Sequence, residues 1–139
     1  MQKDYILEMV EELGQVLGAI LTLKKNNPRK ALEYIQVAFR STKFKNKDFF
    51  DSLDVKGLKE FIDQNSIDHR TIDSITDLLL EELDIKISNS SIDDVELLVS
   101  KVEFLILYCE QKENELKIFS FKRNIHRERL KELLAKLPI

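Results

Sequence analysis

His69, Asp73, Asp77 and Glu81 recur every four residues, a spacing that makes an imidazole and three carboxylates neighbours along one side of a helix. A subset of such donors could grip a divalent cation. The face drifts by about 40° per step on a 3.6-residue helix, so all four cannot converge on one ion. The same ladder is what a solvated helix face looks like. That is the expectation here, with a metal site on these residues as the weaker candidate. Cys109 falls on an apolar stripe, where a free thiol acts as a small apolar residue and no nearby base activates a thiolate. His126 precedes Leu130 by four and Leu133 by seven, which places it at a core edge with a satisfied ring rather than as a catalytic base. Gly14, Gly18 and Gly57 are the chain's 3 glycines, and their spacing fits neither dinucleotide nor triphosphate loops. Neither histidine has a Glu three residues before it, so the Glu-x-x-His pairs of di-iron bundles are missing. The expected chemistry is therefore none: no catalytic residue, no cofactor, no enzyme.

Two basic segments point to a different class of function. Arg40, Lys43, Lys45 and Lys47 surround Phe44, a mixture that can track phosphates and stack a base. The region from 117 to 136 nets +5, which leaves the preceding residues at −8 within a total of −3. Such asymmetry either marks an anionic partner or lets a basic tail pack beside an acidic body, and the intramolecular reading is preferred. A dedicated DNA-binding domain has a pI above about 9, whereas this chain's is ≈ 5.5. Nucleic acid is the alternative partner, not the leading one.

These residues must be positioned by helices. With 3 Gly and 2 Pro in 139 residues, the chain lacks the turn residues that sandwiches and barrels require. At 43% hydrophobic and 34% charged it is too apolar for a disordered segment, and its length suits one domain. A single cysteine and no basic-then-apolar leader suggest a cytoplasmic setting. No uncharged stretch approaches the ~20 residues of a membrane span, so no membrane role is expected. Asn89-Ser90-Ser91 matches a glycosylation sequon but reads as capping chemistry in that setting.

Periodicity predicts a first helix from Asp4, as N-cap, to about Lys25. It carries two apolar stripes and is therefore expected to be central. Gly14 and Gly18 share the second stripe with Leu7 and Leu21. A glycine costs roughly 1 kcal/mol inside a helix, so the pair asks for a tight crossing within the monomer, a homodimer seam, or a hinge, preferred in that order. Asn27 and Pro28 open a second helix to about Thr42, giving an αα-hairpin. Phe49, Phe50 and Leu53 predict one turn closing over that hairpin. Asp54 caps a short helix ending near Gln64-Asn65, and Asp68 caps another reaching about Glu82. A polar loop is predicted over 86–90, and a capping box at Ser91 and Asp94 starts a helix from Ile92 to about Glu113. A last helix lies within 120–136, and 116–121 reads as a connection or a distorted helix start. The sum is an all-α bundle of five or six helices in one domain, 1–139.

The opening MQKDYILEMVEELGQVLGAIL resembles a small bacterial family of all-helical, single-domain proteins of unknown function. That resemblance implies a helical fold over the whole chain and supplies no active-site motif. Ala31, Ile35 and Ala38, with Ala19 on the first helix, resemble one tetratricopeptide hairpin. The motif's aromatics are missing, and thirty-four residues beyond Ala31 and Ala38 stand Asn65 and Ile72, so no tandem array follows. The expected function is a non-enzymatic interaction or self-association domain with a protein partner or a second copy. Its candidate surfaces are Gly14 and Gly18, or Arg123, Arg127 and Arg129. The nucleic-acid alternative uses Arg40, Lys43, Phe44, Lys45 and Lys47.

Overall fold

In the computed structural model, residues 2–89 and 95–137 are described, with side chains from Tyr5 onward. Among these the chain forms α1 (Gln2–Leu23), α2 (Pro28–Ala38), α3 (Lys47–Ser52), α4 (Val55–Asn65), α5 (His69–Ser88), α6 (Val95–Leu116) and α7 (Lys122–Leu134), and no strand. A short 3₁₀ turn, Phe39–Ser41, ends the second helix a turn earlier than its pattern suggested. The all-α reading is correct.

Local hydrogen bonds explain where the helices start. Asn27, Asp54 and Asp68 accept from the backbone N–H of Lys30, Gly57 and Arg70, the caps that the sequence predicts. Asn46 does the same for Phe49 and starts α3. Asp4 is not a cap, because α1 already runs from Gln2. Ser91 and Asp94 lie outside the described residues. The loop predicted over 86–90 is helical through Ser88. Buried Ile85 extends the apolar stripe, and Lys86 pairs with Glu82 one turn back at 2.8 Å.

The central helix is α5, not α1. Thirteen of its 20 residues are buried, and it packs on α1, α2, α6 and α7. Ile72, Ile75, Leu79 and Leu83 are its fully enclosed stripe. Contacts from Met9 to Thr71 and from Lys24 to Asp84 set α1 parallel to α5. Bonds from His126 to Asp77 and from Arg129 to Asp84 set α7 parallel to it as well. The hydrophobic core is closed at one corner by four phenyl rings. Phe44 stacks on Phe61 at 4.8 Å and meets Phe50 edge-on at 5.1 Å, and Phe39 lies against Phe50 at 5.1 Å.

Candidate functional site

The acidic ladder on α5 faces α7 rather than solvent. Asp73 pairs with Arg123, whose Nε also lies 3.0 Å from Glu113 of α6. Asp77 receives His126 Nε2 at 2.6 Å and Lys122 Nζ at 3.2 Å. Glu81 and Asp84 share Lys24, just beyond the end of α1, at 2.6 and 2.9 Å, and Arg129, at 3.4 and 2.9 Å. The solvated-face expectation is thus overturned: Asp73 and Glu81 are buried because a parallel helix brings a cation to each turn. The metal candidate is not assembled either. His69 stays apart from the ladder beside Asp68, and no cluster of three ligating side chains forms among the described residues.

The electrostatics follow from that seam. Burial alone would raise the Asp77 carboxyl, but the hydrogen bond with His126 and the charge of Lys122 hold it below its ordinary value. Burial is likewise outweighed at Asp84 by Lys24 and Arg129. With Asp77 as acceptor, His126 presents its proton on Nε2, and Nδ1 faces Arg123 Nη1 at 3.4 Å. His126 is a satisfied, enclosed ring. Burial, then the nearby Glu113 charge, pushes the Cys109 thiol up to about 12, and its Sγ–H donates to the His69 carbonyl at 3.6 Å. A thiol raised that far and enclosed in the bundle is a poor nucleophile.

The expected surfaces fare unequally. Arg123 is buried, while Arg127 pairs with Glu110 at 2.6 Å and Arg129 with α5, so the basic tail packs against the acidic body. In the other basic segment Phe44 is 2% exposed and belongs to the aromatic corner. Lys47 is also buried and bridges Asp51 and Glu82 at 2.6 and 2.8 Å. Arg40, Lys43 and Lys45 remain at the surface there, without the Phe44 ring that the sequence placed among them. Nothing lies within 4 Å of a Cβ built on Gly14 or Gly18, so the tight intramolecular crossing is overturned. Leu7 and Leu21, on the same stripe, are half-exposed.

Lys101 has one further perturbed amine, beside a cleft of about 140 Å³. Burial lowers its pKa, and its Nζ donates to the Phe50 and Asp51 carbonyls at 2.8 and 3.2 Å. It caps the end of α3 and lies 4.8 Å from the Phe50 ring centre.

Sequence reasoning missed the surface that is most exposed. α6 ends with Lys117 at φ 56°, and the Ile118 N–H returns to the Glu113 carbonyl at 3.0 Å, closing the helix end. Ser120 Oγ accepts from the Lys122 N–H and opens α7. Held at both ends, this turn presents Phe119 and Phe121 at 77% and 72% exposure, edge-to-face at 5.0 Å. Leu116, Ile118 and Ile125 extend the patch. Three cations around it are paired, Lys112 with Glu115, Lys122 with Asp77 and Arg127 with Glu110, while Lys117, exposed within the turn, has no carboxylate partner among the described residues. Its sequence signal was a run of large apolar residues with no element to bury it.

No helix among the described residues is long and apolar enough to cross a membrane. Comparison with protein-family models, with curated proteins and with solved structures returns no match, so the resemblances to the bacterial helical family and to a tetratricopeptide hairpin remain resemblances of pattern.

Proposed function

We propose that this chain is a cytoplasmic, non-enzymatic protein-interaction domain that docks by inserting the α6–α7 turn into an apolar groove of a partner protein. The observation that carries this reading is the exposure of Phe119 and Phe121 on a turn tied at one end by the Ile118 N–H to the Glu113 carbonyl and at the other by the Lys122 N–H to the Ser120 hydroxyl. A contiguous exposed apolar patch is characteristic of a partner site. Holding it in one conformation lowers the ordering cost of binding. Three of the surrounding cations are paired and Lys117 alone is free among the described residues, a smaller surplus than phosphate backbones and anionic lipid select, which favours an apolar protein groove. The engagement of Asp77, His126 and Cys109 inside the bundle supports a non-enzymatic role.

The test compares the full chain with Phe119→Ser/Phe121→Ser in capture from nuclease-treated host extract, followed by titration of the purified captured protein. A protein held by the parent chain and lost by the double variant, at unchanged circular dichroism, supports the docking turn. Identical capture by both chains, or capture abolished by nuclease, overturns it. Self-association through α1 is a second reading, favoured by the open space at Gly14 and Gly18 between half-exposed Leu7 and Leu21. It predicts a dimer mass in light scattering that Gly14→Leu abolishes. A monomer mass at every concentration removes it.

A further inference from the structure

A cleft of about 330 Å³ opens between the start of α1, the turn around Phe44 and the α4–α5 connection. We propose that it binds a small amphipathic carboxylate, a molecule with a flat apolar body and one anionic end. The volume falls at the lower end of the range typical of small-molecule sites. The floor is apolar and well packed: Met9, Phe44 and Ile67 are at most 6% exposed.

Two polar groups converge on this apolar floor. Thr71, in the first turn of α5, is 5% exposed and lines the cleft. Its neighbours Ser74 and Thr76 return their hydroxyls to carbonyls one turn back, at 3.3 and 2.8 Å. The Thr71 hydroxyl does not: among the described residues its side-chain partner is Met9 Sδ at 3.9 Å, a weak acceptor. A buried donor left in this state costs free energy that an oxygen on a ligand would recover.

Lys43 stands on the rim. Its ammonium donates to the Asn65 carbonyl at 2.6 Å and has no carboxylate partner among the described residues, which leaves two N–H donors free. The other rim charge, Asp68, is already engaged by the Arg70 side chain at 2.9 Å and by the Arg70 backbone N–H at 2.8 Å. The free charge at the mouth is therefore positive, the buried Thr71 hydroxyl is a donor without a strong acceptor, and the Tyr5 and Ser66 hydroxyls that also line the cleft can donate or accept. An anionic, acceptor-bearing ligand satisfies both, and a cationic one satisfies neither. This inference stands apart from the α6–α7 docking turn, which lines none of the cleft.

Isothermal titration of the full chain with 2-naphthoate and with neutral 2-naphthamide tests the site. One-site binding of naphthoate is expected. Lys43→Gln should weaken naphthoate about tenfold and leave naphthamide within about twofold. Thr71→Val should weaken both by about three- to tenfold, whereas Thr71→Ser keeps the hydroxyl and binds as the parent does. The Phe119→Ser/Phe121→Ser chain should bind unchanged. Absence of saturation up to about 1 mM, parental affinity in both Lys43→Gln and Thr71→Val, or loss of binding in the Phe119/Phe121 variant would each overturn the proposal.

Discussion

The seam between α5 and α7 and the aromatic corner around Phe44 hold the bundle by opposite means. In the seam a cation meets a carboxylate at nearly every turn, and α7 adds only Leu130 and Leu133 as buried apolar side chains. At the corner, Phe39, Phe44, Phe50 and Phe61 supply the contact area. Apolar burial is insensitive to pH and tolerant of small misplacements, whereas a buried ion pair depends on both partners being present and charged. The molecule thus has one corner held mainly by rings, with the buried Lys47–Glu82 pair beside them, and one seam held mainly by ion pairs and therefore more sensitive to protonation.

The largest expected effect lies at the corner. Phe50→Ala removes a fully enclosed ring and should cost about 3–5 kcal/mol in urea unfolding, with little dependence on pH. A cost near that of a surface position would mean that the corner is not the anchor proposed. Arg123→Ala should follow at about 3 kcal/mol, because Asp73 and Glu113 are left buried without their cation. Replacing all three together, Arg123→Met with Asp73→Leu and Glu113→Leu, should recover most of that loss. Failure to recover would show that the seam supplies more than mutual neutralisation.

The pH dependence separates the two regions. The Asp77 and Asp84 carboxyls are held below the ordinary aspartate value of about 3.9 in the folded chain, so their contribution is fully present above that value and is lost as pH falls through the folded-state titration. Stability should fall below about pH 4, with α7 losing amide protection before α3 and α4. Asp77→Asn should flatten that acid limb. Loss of protection at the aromatic corner first would reverse the comparison. The smallest effect is on α1: Gly14→Ala and Gly18→Ala should each stabilise the monomer by about 0.5–1 kcal/mol, because the added methyl groups meet nothing. A destabilisation accompanied by a change in mass would instead favour the self-association reading.

What the sequence made legible was local. The caps at Asn27, Asp54 and Asp68 could be read because donor and acceptor lie within three residues. The stripe through Ile72, Ile75, Leu79 and Leu83 could be read because apolar spacing repeats. The burial of Asp73 and Glu81 was not legible, since their partners stand on another helix some fifty residues away. Only the split of charge between body and tail pointed to it. Lys47 and Phe44 misled for a related reason. A lysine beside aromatics looks like a phosphate-tracking surface unless its carboxylate partner, Glu82, is known to sit across the core. The glycines misled in reverse, suggesting an internal crossing where the helix faces open space. The sequence-based site is thus mostly reassigned, and the surface proposed for docking reads in the sequence as a connection or a distorted helix start.

The seam also has a consequence for how the protein comes into being. Asp77 and His126 are separated by 49 residues, and a chain emerging from the ribosome exposes the acid long before its base. Until α7 is synthesised, the central helix carries a row of carboxylates with no counterpart from that side, on a nascent chain whose net charge is strongly negative. Self-repulsion would keep that intermediate open and soluble rather than collapsed, and arrival of the basic helix would convert it to the closed bundle. The order of synthesis, as much as the final geometry, would then decide when this protein becomes native.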